Sequence, residues 1–300
     1  MKNIISLDEL SPRETAQTVQ LAIDIRENPD RYRDKLRGKS LLLLFQKTST
    51  RTRVAFELGM KKLGGSCVVL DWNSSNFALS PIEYEAGFVN RTFDCIMARL
   101  VRSEDLRILE KSVDIPLING CDDLYHPSQA LADLMTVYEA GGGYDSTLCY
   151  VGVQNNVANS LFYGCEKTGV KLIFVTPLRD SIPDDLNARM ENSAVLERCD
   201  DLEEAADRCG FIYTDTWINM EHFHDKEYEE EKRKRTEIMH PYQINRSLIE
   251  GRDLYVMHDM PVHPGYEIDE YAIGCEKSLI FKQAENRLYT AQALLLSLLG

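Results

Sequence analysis

The sequence predicts an α/β fold of two domains, each with a mostly parallel sheet flanked by helices. Three observations carry this. Apolar runs such as Leu41–Phe45 lack the every-other-residue alternation of a half-exposed strand, which suits strands covered on both faces. Such runs alternate with helix-length segments, the arrangement of βαβ units. A triple glycine, Gly141 to Gly143, separates two blocks of this kind within the 300 residues.

Taken in order, Ser11-Pro12-Arg13-Glu14 reads as a helix start, with a Ser cap and Pro in the first position. Leu41–Phe45 is the first strand, followed by a polar turn and a helix over Arg53–Leu63 that Gly64-Gly65 stops. Cys67–Leu70, Cys95–Arg99 and Ile115–Ile118 are the next strands, and His126-Pro127 opens a helix running to about Ala140. After the glycines come the strand Thr147–Val151, the helix Ala158–Thr168 and the strands Lys171–Val175, Phe211–Thr214 and Leu254–Met257. From Ala284 to Leu299 a final helix sets Leu288, Ala291, Leu294, Leu295 and Leu298 on one face. The mixed-charge run Asp225–Arg235 reads as a solvated helix.

Lys and Arg number 34 against 48 Asp and Glu, a net charge of −14. That balance disfavours nucleic acid as a partner but leaves room for a local basic pocket. No apolar run approaches the ~18 residues of a membrane span, and the N-terminal segment lacks a basic-then-apolar signal pattern, so a cytoplasmic location is expected. The 8 cysteines are dispersed without CxxC or zinc-ligand spacing and read as small buried thiols. His222 and His224 lack the helix-spaced partner of a zinc motif and fit a polar loop, so no metal is expected. There is no GxxxxGK[ST], and Val151-Gly152-Val153-Gln154-Asn155-Asn156 lacks GxGxxG, so nucleoside triphosphate hydrolysis and nicotinamide cofactors are disfavoured.

Ser49-Thr50-Arg51-Thr52-Arg53 lies between a strand and a helix. There, free backbone N–H groups, the positive end of the helix dipole, hydroxyls and a guanidinium fork converge as an anion site requires. A Ser/Thr cap with surface arginines is the other reading of those five residues alone.

The longer stretch Phe45-Gln46-Lys47-Thr48-Ser49-Thr50-Arg51-Thr52-Arg53-Val54-Ala55-Phe56-Glu57 resembles the carbamoyl-phosphate motif of the aspartate/ornithine carbamoyltransferase family. Met97-Ala98-Arg99 and the run from Asp123 through His126-Pro127-Ser128-Gln129 to Asp133 resemble that family's next two motifs. Asn155-Asn156-Val157, Asp215-Thr216-Trp217-Ile218-Asn219-Met220 and Ala284-Glu285-Asn286-Arg287-Leu288 resemble its ornithine branch. These blocks occur in the family's order over most of the chain.

The resemblance implies a carbamoyltransferase acting on carbamoyl phosphate and the terminal amine of ornithine or a related diamino compound. Ser49, Thr50, Arg51 and Thr52 would bind the phosphate; Arg99, His126 and Gln129 would hold the carbamoyl group, and Arg287 would support that pocket. Asp215 would pair with the α-ammonium of the acceptor and Asn156 with its α-carboxylate, with Asn219, Met220, Asp259 and Met260 completing the amine site. Arg51, Arg99, His126 and Asp259 are the catalytic candidates. The expected division is 1–140, with the helix 284–300 packing back on it, for carbamoyl phosphate and 141–283 for the amine. No cofactor is implied, and a homotrimer with sites near subunit interfaces is.

Departures from the family pattern cluster on the amine side. Where the ornithine branch carries His-Cys-Leu-Pro, this chain has His258-Asp259-Met260-Pro261, and Asn219 and Glu221 replace a Ser and a Gly. The loop Asn73–Glu85 lacks the family's usual basic residue. Asp259 either alters the acceptor, by pairing with an ammonium or taking the nucleophile's proton, or is a hydrogen-bonded spectator with ornithine retained. A carbamoyltransferase-like protein without turnover, acting by ligand binding or regulation, is the competing class.

Overall fold

The computed structural model describes residues 3–180, 182–218, 223 and 226–300, with only the backbone at Lys226. The chain forms two units, one made of residues up to Met135 with Asn159–Thr168 and Glu285–Gly300, the other of Thr136–Ala158 and Gly169–Ala284.

The first unit holds helix α1 (Pro12–Glu27), strand β1 (Ser40–Phe45), α2 (Arg51–Lys62), β2 (Ser66–Asp71), α3 (Ile82–Thr92), β3 (Cys95–Arg99), α4 (Ser103–Ser112) and β4 (Leu117–Cys121). Ser11 caps α1 as expected: its hydroxyl accepts from the Glu14 N–H at 3.2 Å, and the Glu14 carboxylate accepts from the Ser11 N–H at 2.9 Å. The strands run parallel in the order β2-β1-β3-β4. Leu41 to Phe45 are all buried, the cause of their unbroken apolar run. β4 begins at Leu117 rather than Ile115: Pro116 has no N–H, and the sheet uses only its carbonyl, which accepts from Ile96. α2 starts at Arg51, two residues ahead of the expected position, because Thr50 already has helical backbone angles.

α5 (Pro127–Gly141) and α6 (Asn156–Thr168) contribute to both units, as does α12 (Ile280–Leu299). Ala291, Leu294 and Leu295 of α12 are buried, while Leu288 and Leu298 are half-buried. On the α2 side of the helix, a methyl added at Gly59 would meet Gln292 Cγ at 3.2 Å.

The second unit contains β5 (Thr147–Gln154), β6 (Lys171–Arg179), α7 (Asp184–Glu191), β7 (Leu196–Arg198), α8 (Leu202–Asp207), β8 (Phe211–Thr214), α9 (Glu229–Met239), α10 (Arg246–Ile249), β9 (Tyr255–His258) and α11 (Glu270–Gly274). Its parallel sheet has the order β7-β6-β5-β8-β9, with Cys149, Val151, Ile173, Val175, Ile212 and Val256 in the core on one face. The solvated helix expected over 225–235 is α9, shifted toward the C-terminus. Cys95, Cys121, Cys149 and Cys165 are buried free thiols, whereas Cys67, Cys199, Cys209 and Cys275 are only half-buried. No helix among the described residues is long and apolar enough to cross a membrane.

Candidate functional site

Ligand-reading residues of parallel sheets gather at the carboxyl ends of the strands, and the candidate residues of both units lie there. In the first unit the turn after β1 leads into α2, β3 ends on Arg99, and β4 leads into the loop Asp122–His126 ahead of α5.

The Arg287 guanidinium, from α12, donates to Thr52 Oγ1 at 2.6 Å, and the same nitrogen lies 3.4 Å from His126 Nε2. His126 is held from behind, its backbone N–H donating to Ser160 Oγ at 2.7 Å and its Nδ1 lying 3.5 Å from Ser128 Oγ. Burial, followed by the positive charges of Arg287, Arg99, Lys47 and Arg51, pushes the His126 pKa well below its ordinary value. The imidazole is therefore neutral, with one nitrogen a donor and the other an acceptor.

Gln129 lies one turn further along α5 and is fully buried. Its amide nitrogen donates to Asp133 Oδ1 at 2.8 Å, which fixes the side chain. Its Oε1, and the Nε of Arg99, are buried without a hydrogen-bonding partner among the described residues. Buried polar atoms are rarely left this way outside functional sites.

Arg51, Thr52, Arg99, His126 and Arg287 thus come together. Ser49 is half-buried and Thr50 exposed in the turn before α2, and no side-chain hydrogen bond joins either to the cluster among the described residues. Lys47 was not singled out by its sequence, although it lies inside the same motif and its charge reaches His126.

The second unit gathers Asn155, Asp215, His258, Asp259 and Glu267 at the ends of β5, β8 and β9. Asn155 Nδ2 donates to Asp215 Oδ2 at 2.6 Å, and the Thr216 N–H donates to Oδ1 at 2.6 Å. Asp259 hydrogen-bonds to Asp215, and its Oδ1 lies 3.4 Å from His258 Nδ1. Burial first, then the neighbouring Asp259 carboxylate, raises the Asp215 pKa well above the usual range. Two adjacent buried carboxyls cannot both ionise freely, and their repulsion favours keeping a proton on the pair.

His258 Nε2 lies 3.1 Å from Glu267 Oε1, which also accepts from the His263 N–H at 2.5 Å. Burial opposes a charge on Glu267, but the His258 and His263 side chains outweigh it and hold its pKa down to about 2. On His258 burial likewise opposes the charge, while the Asp259 and Glu267 carboxylates favour it and raise its pKa. Yet the Met260 N–H donates to His258 Nδ1 at 2.8 Å. That bond needs a lone pair, so the ring as arranged is neutral, and protonating Nδ1 costs the bond. Met260 has a φ of 64°, in the left-handed region.

Asn156 is half-buried at the start of α6. Asn219 and Met220, like His222 and His224, lie outside the described residues. Candidate ligand atoms of Asp215, His258 and Asp259 lie within 4.8 Å of one another. Both ring nitrogens of His258 are already engaged, by Glu267 and by Met260, which leaves the ring no lone pair for a cation.

Comparison with known proteins shows two family matches. Residues 2–139 match the carbamoyl-P binding domain of aspartate/ornithine carbamoyltransferase, and residues 144–298 match its Asp/Orn binding domain. The chain is similar to the ornithine carbamoyltransferase of Archaeoglobus fulgidus, 36% identical with 100% of this chain and 98% of that protein covered. It is likewise similar to that of Bacillus thuringiensis, 36% identical over 99% of this chain and 94% of the relative. Among solved structures, ornithine carbamoyltransferase from Pyrococcus furiosus superposes with a TM-score of 0.90 at 32% identity, covering 100% of this chain and 97% of that one. The Thermus thermophilus enzyme gives 0.88 at 33% identity, covering 100% and 99%.

Proposed function

The chain belongs to the aspartate/ornithine carbamoyltransferase family, and from that premise we propose that it transfers the carbamoyl group of carbamoyl phosphate to the terminal amine of ornithine or a related diamino compound. The observation that carries the reading is the pairing of unspent groups in the first unit. Arg99 Nε is a buried donor and Gln129 Oε1 a buried acceptor. A carbamoyl group presents the complement, a carbonyl oxygen that accepts and an NH2 that donates.

In the proposed reaction the free amine attacks the carbonyl carbon and forms a tetrahedral oxyanion. That intermediate collapses with cleavage of the bond to phosphate, the departing phosphate taking the remaining extra proton of the attacking nitrogen, and leaves a ureido product and inorganic phosphate. Arg99 and neutral His126 donate to the developing oxyanion, while Arg51, Thr52 and the turn residues Ser49 and Thr50 hold the phosphate. Arg287 fixes Thr52 and faces His126. Donors placed before the reaction lose nothing to reorganisation as charge develops.

The acceptor arrives as an ammonium with a pKa of ~10 and must lose a proton. Asp215 and Asp259, with Asn156, Asn219 and Met220, read it, and Asp259 takes the proton. We also propose the homotrimer: Leu79, Tyr84 and Phe88 are 84%, 75% and 64% exposed on the first unit, an apolar display that association would cover.

An end-point ureido assay tests the proposal, with carbamoyl phosphate offered against ornithine, lysine, putrescine, diaminopropionate and N-acylated ornithines. Product is expected with ornithine or a near diamino relative. Tight carbamoyl phosphate binding with no product from any amine would place the protein among non-catalytic relatives instead.

A further inference from the structure

Asp122 is fully buried, and the proposed reaction gives it no role. It sits at the junction of β4 and the loop that carries His126. Oδ1 accepts from the backbone N–H of Leu124 at 2.9 Å and of Tyr125 at 2.6 Å, and the Asp122 N–H donates back to the Tyr125 carbonyl at 3.0 Å. One carboxylate thereby closes the turn ending at the residue before His126. The other oxygen, Oδ2, accepts from Asn119 Nδ2 at 3.0 Å.

Asn119, itself fully buried, ties this turn to the rest of the unit. Its Nδ2 also donates to the Ile5 carbonyl at 2.9 Å, and its Oδ1 accepts from the Cys121 N–H at 2.9 Å. Between the two anchors Cys121 has a φ of 137°, which L-residues rarely adopt. Backbone strain of this kind persists only where the surroundings over-determine it. Here the over-determination is the Asn119–Asp122 pair, and its product is the direction in which the chain enters His126.

We propose that Asp122 is a positioning residue for carbamoyl transfer: its carboxylate holds the strained turn that aims His126 at the carbamoyl carbonyl, and its ionisation sets how firmly. This rests on the proposed carbamoyl transfer. Supporting it, burial pushes the Asp122 pKa up to about 6, against the pull of the Tyr125 and Leu124 N–H groups. The charged groups facing it are Asp123, which raises the pKa further, and Lys47 from the turn after β1, which lowers it. Above that value the carboxylate makes charge-assisted bonds to the turn; below it the bonds weaken to neutral ones, about half as strong.

The test is a graded series on the full-length protein. Asp122→Asn keeps an acceptor for the turn but no charge, and is expected to lower kcat about tenfold at pH 8. Asp122→Ala removes the acceptor and is expected to lower kcat about 100-fold, the size of effect that misplacing a catalytic group produces. KM for carbamoyl phosphate should change little, since the phosphate rests on α2. The ratio of wild-type to Asp122→Asn turnover, in which the acceptor's own ionisation cancels, should fall toward one below a midpoint of about 6.

A second readout needs no turnover. With histidine-labelled protein, the His126 ring resonances should shift with that midpoint in the wild type and stay flat in Asp122→Asn. A ratio constant from pH 5 to 8 would overturn the proposal, as would identical His126 titrations in the two proteins. Absence of ureido product from the wild type would instead count against the carbamoyl-transfer reading, with the resonance shift still deciding the role of Asp122.

Discussion

Arg287→Met is expected to lower kcat/KM for carbamoyl transfer by about 10²–10³, or roughly 3–4 kcal/mol of transition-state stabilisation. The guanidinium donates to Thr52 Oγ1 at 2.6 Å and faces His126 Nε2 at 3.4 Å, so one substitution loosens the phosphate side and the carbonyl side together. Steady-state kinetics should show KM for carbamoyl phosphate and kcat both affected. The fold should survive, because methionine replaces the aliphatic stem and the loss leaves a cluster of cations with one charge fewer.

The same variant carries a pH signature. After burial, Arg287 is the largest influence holding the His126 pKa down, so its loss lets that pKa rise toward the ordinary histidine value. A histidine with a raised pKa becomes charged at the acid end of the range. A charged imidazole is the stronger donor to an oxyanion, so the deficit relative to wild type should shrink as pH falls from 8 to 6 and deepen as it rises. A deficit independent of pH would mean that Arg287 acts on the phosphate alone.

Asp259→Asn is expected to lower kcat about 10²–10⁴-fold, the range spanned by general acid–base contributions. Carbamoyl phosphate binding, measured by calorimetry, should be unchanged. Asn cannot take the proton of the ammonium, and it relieves the repulsion that raises the Asp215 pKa. Thermal stability at neutral pH should not drop, since one of two adjacent buried carboxyls has been made neutral. If rate and acceptor preference both stayed at wild-type values, Asp259 would be a spectator and ornithine the simplest acceptor.

The parallel sheets are legible in the sequence because their strands are covered on both sides. Cys95–Arg99 and Phe211–Thr214 have the bounds their apolar runs suggest. Local sequence misleads where tertiary pairing decides. β6 continues past Val175 to Arg179 through Pro177, beside a shift of register against β5, a place where a missing N–H does no harm. α3 is hard to read because Tyr84 and Phe88 stand on its exposed side and blur the apolar stripe.

Within the candidate site, the contiguous motifs around Arg51, Arg99 and His126 announce themselves, and Asp215 and Asp259 are legible through the family resemblance, the one matching a motif and the other departing from one. The supports do not. Ser160 reaches the His126 backbone from a helix 34 residues away. Asp122 differs from any loop aspartate only by its burial, and Glu267 becomes the anchor of His258 only once its loop folds over β9. Their signals are tertiary, and no spacing encodes them.

The central claim is carbamoyl transfer itself, and its most direct test is stoichiometric. Wild-type protein with carbamoyl phosphate and ornithine should release inorganic phosphate and form ureido product in equal amounts, above the spontaneous breakdown of carbamoyl phosphate, and Arg51→Ala should abolish both. Phosphate released without ureido product, or neither formed with ornithine or any related diamine, would contradict the account.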